Sequence, residues 1–265
     1  HMWTPDVYEG SPSSVTTILI TIPKVVVLVV LIKILNEPFF NFKNLWQQII
    51  IIITILSLSI GSIAALRQDN IKRLFAYGTI ANVGYVLVGV VSNSTQGLSA
   101  SVLYLVIYTI ASLGVFSFIM MLRKENSQIV HLQGLAGFSQ SNSLASICMV
   151  MLLLSMAGIP PFAGFFAKFY IFVSAVESNF LFLAIIGVIF SVVSAFYYLK
   201  IIKIMYMDNQ NDASLFDVDK KMYLMLLITS TAMLLFIFFA NDLINFINKY
   251  MKYLSLQAHK TFRIK

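Results

Sequence analysis

Leu144–Val176 reads LASICMVMLLLSMAGIPPFAGFFAKFYIFVSAV. The stretch is apolar enough to lie in a bilayer, yet Gly-Ile-Pro-Pro interrupts it and a lysine, Lys168, follows. Neither Pro160 nor Pro161 has a backbone N–H, so the carbonyls of Met156 and Ala157 lose their helical partners. In lipid, such irregular backbone survives only where protein or trapped water covers it. An unpaired ammonium in hydrocarbon is also costly, which marks an intramembrane lysine as functional by default. A broken helix with an ionisable group beyond the break is expected where an ion crosses a membrane.

The rest of the chain fits that environment. Of 265 residues, 59% are hydrophobic and 11% charged, with a mean hydropathy of +0.86. A soluble core needs far less apolar side chain, so the class is all-α, a polytopic transmembrane helical bundle in a lipid bilayer. The formal charge of +7 does not make a nucleic-acid surface, because the basic residues are scattered in short loops between apolar runs. The single cysteine, Cys148, lies inside an apolar run; alone it supports neither an internal disulfide nor a metal site. His1–Glu9 is polar, which is not the pattern of a cleavable signal peptide. A chain that opens His-Met reads as a loop from within something larger: a cloning remnant, a processed end, or one piece of a divided protein.

Runs of about 18–25 apolar residues give about seven membrane segments: 13–35, 45–66, 72–91, 98–122, 144–176 (broken), 179–206 and 221–247. They make a single transmembrane domain over 1–265, with a loop at 1–12 and a basic tail at 248–265. The loops on the His1 side hold Arg67, Lys72, Arg73, Arg123, Lys124, Lys200, Lys203, Lys220 and Lys221. The opposite side holds Lys33 and Lys43 before the tail. The bias places His1 and the loop around Lys72 on the cytoplasmic or matrix face.

Lys24 sits near the centre of its segment, SSVTTILITIPKVVVLVVLIKIL. A lysine stem reaches ~6 Å against a hydrocarbon half-thickness of ~15 Å, so snorkelling cannot rescue it. Pro23, just before it, frees the carbonyl of Leu19. The alternative is a structural lysine bonded to nearby carbonyls. Lys168 is about two turns from the end of its segment, and snorkelling is the competing reading there. An ammonium can release its proton where a guanidinium cannot.

Other polar side chains fall at helical spacing: Asn82 and Tyr85; Tyr104, Tyr108 and Ser112; Ser191, Ser194 and Tyr198. Each set lies along one helix face and could hold a water wire. The alternative is interhelical hydrogen bonding with small-residue packing. No carboxylate lies deep in a segment. There is no G-x-G-x-x-G, no histidine pair for haem or metal, and no nucleophile beside a base.

Three stretches, HMWTPDVYEGSPSSVTTILITIPK, RQDNIKRLFAYGTIANVGY and SMAGIPPFAGFFAKFY, resemble subunit 2 (bacterial subunit N) of proton-pumping NADH:quinone oxidoreductase, complex I. The resemblance continues to about Met205. PDVYEGSP separates it from the sister antiporter-like subunits and from Mrp-type cation/proton antiporters, which differ after the shared His-x-Trp. The resemblance implies one half of a fold of about fourteen helices in two inverted repeats, each with a broken helix. It matches Lys24 to the family's mid-membrane lysine linking two half-channels, and Lys168 to the lysine on the second broken helix, at the exit side. The segments then correspond to the last seven family helices.

The resemblance also implies partners: other membrane-arm subunits of complex I, and a separate chain supplying the missing N-terminal helices with their glutamate and lysine, unless the sequence is itself incomplete. NADH, FMN, Fe–S clusters and ubiquinone would lie in other subunits, with no cofactor in this chain. Many relatives carry histidine at the position of Asn82, and asparagine cannot take up a proton there. The expected function is proton translocation through a lysine and water relay, coupled to NADH:ubiquinone reduction. The competing readings are a non-pumping scaffold of the same complex and an Mrp-type antiporter subunit. Ile/Phe-rich composition and coding in pieces point to a mitochondrial inner membrane, with a bacterial plasma membrane as the alternative.

Overall fold

The structure is a computed structural model that describes residues 3–124, 127–128, 130–208 and 219–262. In chain order the helices are α1 (Thr4–Gly10), α2 (Ser13–Asn36), α3 (Lys43–Leu66), α4 (Ile71–Ser92), α5 (Thr95–Met121), α6 (Phe138–Ser141), α7 (Ser143–Ala157), α8 (Ala163–Glu177), α9 (Leu181–Met207) and α10 (Lys220–Phe262). The expected segments reappear with ends shifted by a few residues. Five helices, α2, α3, α4, α5 and α9, are individually long and apolar enough to cross a membrane. The segment expected at 144–176 is divided into α7 and α8, each 15 residues long.

Two of the expected bounds differ in the structure. The loop expected at 1–12 contains α1, started by a proline in its first turn, where no N–H is needed. The last segment does not stop near 247: α10 runs on to Phe262 through most of the expected tail, and bends by 75° between Lys220–Phe236 and Phe238–Lys249. No proline or glycine accounts for the bend. The connection 123–143 holds a two-residue hairpin, β1 (Arg123–Lys124) with β2 (Ser127–Gln128), then a 3-10 turn at Leu132–Leu135 and α6. His1, the basic residues of 263–265 and the greater part of the 207–220 loop lie outside the described residues.

Helix α4 is the centre of the bundle. Its neighbours are α1, α3, α5, α8 and α9, and nearly every residue of it is buried. A helix covered on all sides can carry polar groups at membrane depth, because protein rather than lipid receives them. Close approach to α3 depends on Gly61, where an added Cβ would run into the backbone of Ala81. Asn70 starts α4 by accepting from the N–H groups of Lys72 (2.9 Å) and Arg73 (3.2 Å). The outer helices α2, α3 and α9 instead expose Val26, Val27, Ile52, Phe182, Val192 and Phe196, apolar surface suited to lipid or a neighbouring helix.

At one end of the bundle the start of α4 and the loop before it meet α1, α9 and the 123–143 connection. Arg73 pairs with Glu9 (3.2 Å) and Lys200 with Asp69 (3.5 Å), and the amide of Ile71 donates to the carbonyl of Val130 (2.9 Å).

Candidate functional site

Lys168 is reached through the break. Helix α7 ends on Gly158 with φ +84°, a left-handed conformation that L side chains rarely adopt. The chain then passes Pro160 and Pro161 and re-enters the helix at Ala163. On α8 the Lys168 side chain folds back across the gap. Its Nζ donates to the carbonyl of Ala157 at 3.0 Å and to Ser191 Oγ on α9 at 3.1 Å. The Ala157 carbonyl is one of the two that the prolines leave without a helical donor. Lys168 is only 4% exposed, so snorkelling is not its solution. Ser155 closes the break from the other side by accepting from the amide of Gly164 at 3.1 Å.

Lys24 lies on α2, one residue after Pro23, and the helix continues through the proline. The residue is half-buried, but its ammonium nitrogen is fully covered and has no hydrogen-bond partner. The structural reading in which carbonyls hold it is therefore not what the geometry shows. Two aromatic faces hold it instead, Tyr8 at 5.6 Å and Tyr108 at 5.4 Å from Nζ to ring centroid. The Leu19 carbonyl that Pro23 releases accepts from the Tyr8 hydroxyl at 3.3 Å. Burial pushes the Tyr8 phenol above its ordinary range, so it stays a donor.

The polar sets converge between the two lysines. Tyr108 stacks on Tyr104 with centroids 6.4 Å apart and planes within 3°. Tyr104 donates to Asn82 Oδ1 at 2.6 Å and lies 5.9 Å from the ring of Tyr85. Tyr85 in turn presents its face to Lys168 Nζ at 4.6 Å. Helices α2, α5, α4 and α8 thus contribute one continuous line of polar and aromatic groups from Lys24 to Lys168. Ser191 joins it at the Lys168 end.

Not every expected member takes part. Ser112 is buried, but its hydroxyl turns back to the carbonyl of Thr109 (2.9 Å), and that of Ser194 to Ser191 (2.9 Å). Tyr198 does join the site: it is buried beside Tyr197, with ring centroids 4.4 Å apart, and its hydroxyl has no hydrogen-bond partner. Sequence reasoning missed Tyr8, Thr79 and Tyr197. Thr79 exchanges a 2.8 Å hydrogen bond with the Tyr108 hydroxyl. It sits three residues before Asn82, so the i, i+3 rule that picked Tyr85 could have found it. Tyr8 had no such signal, because it reaches Lys24 from outside the membrane segments.

The electrostatic character of the site follows from what is left unpaired. Among the described residues, Lys24 Nζ, Asn82 Nδ2 and the hydroxyls of Tyr85, Tyr197 and Tyr198 are buried without a hydrogen-bond partner. Buried polar groups are normally satisfied by protein or by ordered water. Five such groups in one region define a place with hydrogen-bonding capacity to spare.

A helix broken at Gly158–Pro161, a buried ammonium at the break and a polar line to a second lysine define a polytopic helical membrane protein with a polar interior. Comparison with known proteins narrows this. The profile of the family described as NADH:quinone oxidoreductase/Mrp antiporter, TM matches residues 1–194, and the chain belongs to that family. It is 42% identical over 239 residues to NADH-quinone oxidoreductase subunit N of Pelagibacter ubique, covering 90% of this chain and 50% of that protein. Its fold is similar to a chain of respiratory complex I from Thermus thermophilus with bound aureothin (TM-score 0.79, 26% identity, covering 92% of this chain and 54% of that one). A chain of the Mrp complex from Dietzia shares the fold (TM-score 0.84, 17% identity, covering 96% and 56%). The chain thus spans about half the length of the proteins it matches. The relatives named here are bacterial, so the expected mitochondrial inner membrane draws no support from them; what stands is a multi-pass membrane protein.

Proposed function

We propose that this chain is one half of a membrane-arm, antiporter-like subunit of a complex I-type NADH:quinone oxidoreductase, and that it conducts protons between Lys24 and Lys168. The observation that carries the reading is the continuous line Lys24–Tyr108–Tyr104–Tyr85–Lys168, with Asn82 hydrogen-bonded to Tyr104. Rings do not carry protons. Hydroxyls and water can, and the unpartnered polar atoms along this line, Asn82 Nδ2 among them, provide hydrogen-bonding sites for the water such a wire needs.

Each end has a distinct role. Lys24 receives and passes a proton laterally, since aromatic faces rather than a carboxylate surround it and no ion pair fixes its charge. Lys168 releases the proton outward; Ala157 and Ser191 orient its ammonium, and neither carries a compensating charge. Asn82 cannot accept a proton at neutral pH, so it serves as a hydrogen-bonding step and not as a titrating relay. Redox chemistry with NADH, FMN, Fe–S clusters and ubiquinone belongs to other subunits.

Subunit N relatives at 42% identity favour the complex I assignment over an Mrp antiporter, whose likeness is one of fold. The membrane is either a mitochondrial inner membrane, which composition favours, or a bacterial plasma membrane, which matches the relatives. The test is proton translocation by membranes carrying Lys24→Met at matched complex content. Reduced proton yield with quinone reduction still present supports the reading; an unchanged yield rejects it in favour of the scaffold.

A further inference from the structure

Lys24 has no acceptor, yet it is held. Tyr8 and Tyr108 place their faces at 5.6 Å and 5.4 Å from its nitrogen, within the ~6 Å over which a ring quadrupole attracts a cation. Tyr108 belongs to the membrane-spanning α5, whereas Tyr8 is carried by α1, outside the membrane-spanning helices. Tyr8 is completely buried and is fixed at both ends. Its hydroxyl caps the carbonyl of Leu19, and its own carbonyl accepts from Thr16 Oγ1 at 3.4 Å.

The residue next to Tyr8 ties α1 to the start of α4. Glu9 accepts from Arg73 Nη1 at 3.2 Å and from Asn70 Nδ2 at 3.0 Å. Lys72 Nζ adds a 2.9 Å bond to the carbonyl of Ser11. A polar clamp at the aqueous end of α4 therefore sits one residue from a ring that faces the mid-membrane lysine.

We propose that Tyr8 and Tyr108 form a two-ring cage that holds the Lys24 ammonium in place, and that the Glu9–Arg73 clamp positions Tyr8 within it. Tyr8 is a positioning residue: the ring face does the holding, and the hydroxyl only anchors the ring. The proposal rests on the proton-transfer reading of Lys24, and its test keeps the two apart.

The experiment measures proton translocation and quinone reduction by membranes containing the assembled complex at matched content. Tyr8→Leu removes the ring and is expected to lower proton translocation roughly fivefold, whereas Tyr8→Phe keeps the ring and loses only its anchor, so its loss is expected to be clearly smaller. Phenylalanine analogues bearing one, two and three fluorines at position 8 keep the shape while draining the ring face of negative charge. They are expected to reduce translocation stepwise, and they decide the matter even if the leucine variant fails to assemble. Glu9→Gln is expected to produce a smaller loss that does not add to that of Tyr8→Leu, because both act through one ring. Lys24→Met is the control: if it pumps normally, the functional reading fails and the cage with it. If Lys24→Met is impaired but the fluorinated series is flat, or if Tyr8→Phe is as defective as Tyr8→Leu, the cage alone is overturned. Full additivity of Glu9→Gln and Tyr8→Leu overturns the clamp's part.

Discussion

The Lys168 ammonium donates to the carbonyl of Ala157 at 3.0 Å, the carbonyl for which Pro161 has no N–H to offer. The break and the buried lysine are therefore complementary. The prolines open a carbonyl in a dry environment, and the lysine eleven residues on supplies the donor. A group held by a carbonyl and a hydroxyl, with no counter-charge, remains free to change protonation without stranding an anion.

Gly158 makes this contact possible. Its φ of +84° excludes most side chains, and a Cβ there would lie 2.9 Å from Lys168 Cδ. We expect Gly158→Ala to destabilise the subunit by about 1–2 kcal/mol from backbone strain and to displace Lys168. Thermal denaturation of the solubilised complex reads the first effect and proton translocation at matched content the second.

Asn82 is 3% exposed, and its Oδ1 accepts from Tyr104 at 2.6 Å. Asn82→Leu leaves that hydroxyl buried and unmatched, at a cost of about 1–3 kcal/mol. Asn82→His keeps an acceptor for the Tyr104 hydroxyl. The outcome expected is a lowered melting temperature for the leucine variant and near-native stability and pumping for the histidine variant.

Tyr104→Phe separates the wire from the packing. The phenylalanine retains the stack on Tyr108 and the contact with Tyr85, while the bond to Asn82 disappears and leaves that buried Oδ1 without its donor, at a cost of about 1–3 kcal/mol. We expect proton translocation to fall with quinone reduction retained. Native pumping in this variant assigns the tyrosines to helix packing.

How much of this was legible in the sequence differs by residue. Pro160 and Pro161 announced both the break and the carbonyls it would free, because proline's effect on a helix is local. The spacing of Asn82 and Tyr85, and of Tyr104 and Tyr108, placed them on shared faces for the same reason. Spacing could not say that α4 would be enclosed on all sides, which is what turns those faces into an interior. For Lys168 snorkelling stood as a competing reading, because counting residues measures depth along a helix but not the direction of a side chain. Tyr8 was out of reach: its part depends on a long-range fold-back of α1 onto α2 and α4, for which no periodic signal exists.

Glu9 and Arg73 are only partly covered, with side chains 40% and 37% exposed. Solvent screens such pairs, so Glu9→Gln should leave the stability close to native. A melting temperature close to native, measured on the solubilised complex, would separate this clamp from residues that hold the fold.

The central claim is that Lys168 works by exchanging a proton, and Lys168→Arg tests it most directly. Methionine would strand the Ala157 carbonyl and the Ser191 hydroxyl, confusing loss of function with loss of fit. Arginine keeps positive charge and donors but cannot release its proton in the working range. Proton translocation should be measured against quinone reduction on membranes matched for assembled complex. The account predicts assembly with a clear fall in protons moved per quinone reduced. An unchanged ratio in Lys168→Arg would contradict it and leave the lysine as a structural charge.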